Sequence, residues 1–217
     1  MIENNPFEKL TSTIKRSSTS DSENKRESWT EVELELLLSS LNVKDNLWPL
    51  SAIALYSGMR IDEICSMEIK YVRDGLMNVR GGKTDAAIRV VPIHPIISPL
   101  IDRLTAQSTD GFLLSGLKSG GYDNKHSWNI QKRFGRFKSK LGMPKSKVFH
   151  CFRKNFSTAL ENLQVPENIA QQLMGHSKKS MTYALYSQGV SDDVLREAVN
   201  RTGFGMIDEM VSRISRI

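Results

Sequence analysis

Leu55-Tyr56-Ser57-Gly58-Met59-Arg60-Ile61-Asp62-Glu63-Ile64 holds a helix end, a break and a helix start in one short run. Upstream, Trp48 to Tyr56 is apolar and free of breakers after Pro49, which predicts a helix that stops at Gly58. Downstream, Ile61, Ile64 and Met67 recur at helical spacing and predict a new helix from about Arg60. Arg60 therefore stands between two helices, where a backbone fixed on both sides can aim a long side chain into a cleft. Glu63, one turn on, can orient its guanidinium, although an isolated Arg-Glu pair at this spacing is ordinarily a surface pair of little energetic weight.

Before this run, Thr30 and Glu33 form a Ser/Thr-x-x-Glu capping box ahead of Leu34, Leu37, Leu38 and Leu41, so helix is expected there. The Val32 to Leu36 alternation would suit a strand, but the cap and the glutamates favour helix. After Met67 the pattern changes to short β-prone pieces, Lys70 to Arg73, Leu76 to Arg80 and Ala87 to Ile93, separated by Asp74-Gly75 and by Gly81-Gly82-Lys83-Thr84-Asp85. Three antiparallel strands are expected. Beyond Pro92 and Pro95 helical patterns return over Ile96 to Ala106, His126 to Leu141, Val148 to Leu163 and Pro166 to Gly175, with two more between Ser191 and Ile217. The expected fold class is mainly α with a small antiparallel β-sheet (α+β).

Residues 1–28 read as a flexible linker or arm: from Thr11 to Ser28 almost nothing is apolar, too little to order the segment by burial. Residues 29–217 are expected to form one domain with a C-terminal helical tail, whose Met206, Ile207, Met210, Val211 and Ile214 make an apolar face that something must cover. A net charge of +6 fits a polyanionic partner but is common in other soluble proteins. Cys65 and Cys151 sit in separate apolar segments with no CxxC or Cys/His spacing, so no disulfide framework and no metal site are expected. No leader and no membrane-length apolar run is found, and a cytoplasmic protein with reduced thiols is the expectation.

Several polar residues could carry chemistry. His150 and Arg153 are three apart in a helical pattern and would share one face, within reach of one anion. A guanidinium beside an imidazole stabilises the charge that gathers on the non-bridging oxygens of a phosphodiester under attack. Alone, the pair could equally be an exposed helix face. His176 follows Gly175 at a helix end, an ordinary place for a C-cap histidine. Tyr183 and Tyr186 follow it by seven and ten residues. Lys83 sits in a Gly-Gly-Lys-Thr turn that is not a phosphate-binding P-loop, because no glycine stands at the required upstream position and a strand rather than a helix follows. Lys132, Arg133, Arg136, Lys138 and Lys140, after Trp128 on one helix, either contact DNA phosphates or form a solvated basic face. Cys151, next to His150, points elsewhere on the helix and reads as a small core residue.

Taken together, Leu55 to Ile64, the hairpin Lys83, His150-Cys151-Phe152-Arg153, Met174-Gly175-His176 and the downstream tyrosine resemble, in order, the boxes of the tyrosine recombinases, the phage-integrase family. The resemblance covers the catalytic domain, about Trp29 to Val190. It implies a site-specific recombinase that cleaves and rejoins duplex DNA through a 3′-phosphotyrosyl intermediate without metal, ATP or other cofactor. Arg60, Lys83, His150, Arg153 and His176 would surround the phosphate, with Lys83 donating a proton to the leaving 5′ oxygen. Tyr186 would be the nucleophile, since it precedes Ser187-Gln188-Gly189 as the family's nucleophile precedes a short polar turn; its step from His176 is one residue longer than usual, and Tyr183 competes. The resemblance also implies a homotetramer on DNA formed by exchange of the C-terminal segment, with accessory DNA-bending proteins as further partners. Family members carry an N-terminal helical domain that has no room before the linker, so a catalytic-domain fragment or a shortened relative is expected. A DNA-binding remnant or regulator with the same fold, and a type IB topoisomerase, are the alternatives.

Overall fold

A computed structural model describes residues 27–81, 87–176 and 189–216. The architecture grows around α2 (Leu47–Ser57), every residue of which is buried. A helix that is apolar on all sides has to be surrounded. α6 (Cys151–Asn162) lies along it, α1 (Glu31–Ser40) and α3 (Ile61–Cys65) flank it, and α5 (Ser127–Lys140) packs against α3. The capping box of α1 forms as expected: the Thr30 N–H donates to Glu33 Oε2 at 2.8 Å and the Glu33 N–H to Thr30 Oγ1 at 3.2 Å.

The three-stranded antiparallel sheet is also present, with β1 (Val72–Arg73), β2 (Leu76–Val79) and β3 (Arg89–Pro92) in sequence order. Asp74 and Gly75 both take positive φ, the signature of a two-residue hairpin turn whose twist matches that of the strands. Met77 pairs with Val91 and Val79 with Arg89. β1 is shorter than the sequence suggests because Ile69 to Tyr71 close a 3-10 turn first. Residues 82–86, and with them Lys83, lie outside the described residues, as do 1–26 and 177–188.

The remaining helices are α4 (Ser98–Gln107), α7 (Glu167–Met174), α8 (Asp192–Asn200) and α9 (Met206–Ser215), of which α7 and α8 pack on β3. The apolar face of α9 is covered within the chain: Ile207 and Val211 are buried where the helix meets α1, α4 and the 3-10 turn Pro95–Ile97. Its Asp208 accepts the Tyr56 hydroxyl at 2.5 Å. Burial and that bond push the Tyr56 phenol far above its ordinary value, so it serves as a structural donor. Both cysteines are buried and free. Among the described residues no helix is long and apolar enough to cross a membrane.

The chain enters the domain at Trp29, which is buried against Phe134 and Phe152. Asn155 on α6 holds both of its backbone groups, accepting from the Trp29 N–H at 2.9 Å and donating to its carbonyl at 2.7 Å. Lys147, buried beside it, pairs with Glu33 at 3.0 Å.

Gly58 caps α2 with φ +62°, and a Cβ there would stand 2.4 Å from Phe156 Cδ1 and 3.0 Å from Met174 Sδ. The side-chain-free left-handed turn lets α6 and α7 approach the end of α2 together. Left-handed strain and overpacking add, so Gly58→Ala is expected to cost about 2–4 kcal/mol, read as a fall in Tm.

Candidate active site

Three chain breaks meet at one place. The first is the cap of α2, where the Gly58 carbonyl accepts from Arg153 Nη1 at 2.7 Å. The second is the start of α3, where the Arg60 N–H donates to Glu63 Oε2 at 2.9 Å and Arg60 Nη1 to Glu63 Oε1 at 2.7 Å. The third is the end of α7. Gly175, at φ +63°, donates to the Gln172 carbonyl at 3.2 Å and His176 to the Gln171 carbonyl at 3.0 Å, a Schellman cap. His176 is thus a helix-end residue whose ring is carried into the site, with Nε2 3.0 Å from Arg153 Nη2. Arg153 Nη2 also bonds the Met174 carbonyl.

Arg60, His150, Arg153 and His176 line a pocket of about 200 Å³ together with Lys154 and Ser157. His150 is the N-cap of α6 rather than a residue inside the helix, because the backbone from Val148 to His150 is a turn. It still reaches the same pocket as Arg153. Arg60 opens as well onto a larger cavity of about 830 Å³ whose wall includes Arg80, Gly81 and Ala87, which flank residues 82–86 in the chain. Tyr183 and Tyr186 fall among residues 177–188, outside the described set.

The electrostatics leave this site short of negative charge. Burial, with the charges of Arg60 and Arg89, pushes the Arg153 guanidinium well below its ordinary value, and Glu63 offsets only part of that. Burial would raise the Glu63 carboxyl, but the hydrogen bonds and charge of Arg89, with two bonds from Arg60, outweigh it and hold the group below its ordinary value. Three guanidiniums share one carboxylate. An anion entering the pocket relieves this imbalance, so inorganic phosphate is expected to raise Tm relative to chloride at equal ionic strength. At tenfold over its Kd the gain is about 1.4 kcal/mol, and Arg153→Gln is expected to abolish it.

Arg89 adjoins the site, and the motifs do not flag it. Its side chain is only 3% exposed, and it bonds Glu63 through both terminal nitrogens and the Leu173 carbonyl through Nε at 2.7 Å. A signal does exist in the strand alternation. Ala87, Arg89 and Val91 share one buried parity while Ile88 is exposed, and an arginine on the inward parity requires a carboxylate partner. Lys154, beside Arg153 on α6, also lines the small pocket although no motif marks it.

The basic face of α5 is less uniform than its sequence. Arg136 is exposed, Lys132 Nζ sits 3.1 Å over the Trp128 ring, and Arg133 pairs with Asp45. Lys138 turns inward, its Nζ donating to the Pro144 carbonyl at 2.6 Å. His94 is buried between the Thr202 carbonyl and the Ile96 N–H, and His126 packs on Phe112. Among the described residues no group of three or more His, Cys, Asp or Glu could hold a metal ion.

Residues 28–191 match the model of the phage integrase family. Tyrosine recombinase XerA of Thermococcus kodakarensis is 31% identical over 177 residues, which cover 78% of this chain and 60% of that protein. The chain thus spans well under two thirds of its relative's length. The Tn1549 transposon integrase, solved in complex with transposon right end DNA, superposes with a TM-score of 0.60 at 21% identity, over 92% of this chain and 72% of that one. A lambda integrase tetramer bound to a Holliday junction gives 0.55 at 19% identity, over 72% of this chain and 48% of that one. With a mainly helical domain, a three-stranded sheet and two arginines converging from separate helix ends, the chain belongs to the phage integrase family of tyrosine recombinases.

Proposed function

We propose that residues 29–217 are the catalytic domain of a site-specific DNA recombinase that cleaves and rejoins duplex DNA through a 3′-phosphotyrosyl link, with residues 1–28 as an arm. The observation that carries this reading is the convergence of Arg60, Arg153, His150 and His176 on one small pocket that lacks negative charge. In the reaction, Tyr186 Oη forms a bond to phosphorus as the bond to the 5′ oxygen breaks. The tyrosyl proton passes to water, and the leaving oxygen takes a proton from Lys83 and becomes a 5′-hydroxyl. The two guanidiniums and the imidazoles bear the charge on the non-bridging oxygens, so the chemistry asks for neither a metal nor ATP. The phosphotyrosyl ester conserves the energy of the broken bond, and another 5′-hydroxyl can reverse the step.

Duplex DNA is the proposed partner, with Lys132, Arg133 and Arg136 on its phosphates. The proposed assembly is a homotetramer in which α9 passes to a neighbour and occupies there the α1 and α4 surfaces that it covers here within its own chain. Accessory DNA-bending proteins are compatible with such an assembly. The test is a duplex nicked close to the cleavage position, from which the short 5′-hydroxyl strand diffuses away. A protein-DNA adduct that survives denaturation supports the proposal. Relaxation of supercoiled DNA without strand exchange would reassign the chain to topoisomerase-type activity, and binding with no adduct at any attachment sequence would reassign it to a regulator.

A further inference from the structure

Glu63 is saturated. Oε1 accepts from Arg60 Nη1 at 2.7 Å and Arg89 Nη1 at 3.1 Å, and Oε2 accepts from the Arg60 N–H and from Arg89 Nη2, both at 2.9 Å. A carboxylate has about four such acceptor positions, and filling all of them leaves it one orientation. Arg89 Nη1 also donates to the Ala87 carbonyl at 3.0 Å, so four of its five N–H groups are placed. Through Nε it holds the Leu173 carbonyl at the end of α7. The Gly175 turn lies flat against it, since a Cβ on Gly175 would stand 2.8 Å from Arg89 Nη1 and 3.0 Å from Cζ. Arg60 Nη2 closes the circle on the Gly175 carbonyl at 3.3 Å.

We propose that Arg89 is the positioning residue of the phosphate site, a buried fork that locks Glu63 and the end of α7 so that Arg60 and His176 face one point. The inference rests on the reading of that site as a phosphodiester-cleaving centre and adds a residue to it. Two consequences follow from the geometry. Half of the Glu63 bonding is taken by Arg89, so the carboxylate orients Arg60 without neutralising it. And β3, the strand that follows Lys83 in the chain, is tied through one side chain to the helix end that presents His176. Lysine in this position is a point charge without a planar fork and cannot serve Glu63, Ala87 and Leu173 together.

The test is a double-mutant cycle of Arg89→Lys with Arg60→Ala, read in two ways: the single-turnover rate on the nicked duplex, and the affinity for inorganic phosphate followed by NMR at the ring protons of His150 and His176. With Arg60 present, Arg89→Lys is expected to slow cleavage about 100-fold, the scale of an ångström misplacement, and to weaken phosphate binding in step. With Arg60→Ala in place, the same substitution is expected to lose most of its effect, to about tenfold or less in either readout, because only the share that runs through the α7 end and His176 remains. A merely structural arginine gives multiplicative effects instead, and that result overturns the proposal. Arg89→Gln, which introduces no buried ammonium, enters the same cycle if the lysine variant lacks a cooperative melt. On the wild-type chain the Arg89 Nε–H is expected to exchange slowly, and exchange as fast as that of exposed Arg136 overturns the lock by itself. A wild-type chain that makes no adduct counts against the recombinase reading alone, since the phosphate cycle still decides the role of Arg89.

Discussion

Tyr186→Phe is expected to bring covalent capture of the nicked duplex to background, while Tyr183→Phe retains capture at the wild-type level. The substitution removes one oxygen and keeps the ring, so it deletes the proposed nucleophile and nothing else from the chain. A phenol of ordinary pKa near 10 is a poor nucleophile at neutral pH. Neighbouring guanidiniums favour its ionised form, and the pocket between Arg60 and Arg153 is where such charge is concentrated. Denaturing gels of the variant chains, each checked for an unchanged melt, read the outcome directly. Capture lost in Tyr183→Phe and kept in Tyr186→Phe would move the nucleophile three residues upstream. Capture kept in both single variants and in the double would sink the phosphotyrosyl mechanism.

The second large effect is expected at Arg153. Arg153→Gln should lower the single-turnover rate by about 10²–10³, the scale for loss of one preorganised donor to a developing oxyanion. Its stability should stay within about 1 kcal/mol of wild type, because two costs oppose each other. The carbonyls of Gly58 and Met174 lose a charged donor, which destabilises. The fold is also relieved of a buried cation repelled by Arg60 and Arg89, which stabilises. A cation whose folded pKa lies below its unfolded value costs stability while it is charged, so wild-type stability should rise with pH from that lowered pKa towards the ordinary arginine range. This component of the rise should be missing in Arg153→Gln. Calorimetric Tm against pH measures the stability and the nicked duplex measures the rate. A variant that cleaves within tenfold of wild type, or one that loses rate only in proportion to lost folding, would remove Arg153 from the chemistry.

The local parts of this molecule were legible in the sequence because local chemistry sets them. Gly58 marks a helix end by its left-handed cap, Asp74-Gly75 marks a hairpin by two positive φ angles, and Thr30 with Glu33 marks a helix start. The motif order likewise brought Arg60, His150, Arg153 and His176 to one pocket. What stayed hidden depends on contacts between distant segments. Arg89 reads as one more basic residue until Glu63 and Leu173 close around it. Lys138 reads as part of a basic face until the Pro144 carbonyl draws it in. The tail beyond Gly203 shows an apolar stripe, but which surface it meets depends on α1 and α4, far away in sequence.

The grip of Asn155 on Trp29 defines a mechanical load path. Both backbone groups of Trp29 are fastened to α6 two residues from Arg153. Tension on the chain that enters at Trp29 is therefore met first at Ser28, whose carbonyl accepts from Lys147, and then by the helix that bears the buried arginine. A tether of controlled stiffness attached ahead of Trp29 would load α6 through those two bonds, with Asn155→Ala as the slipped clutch.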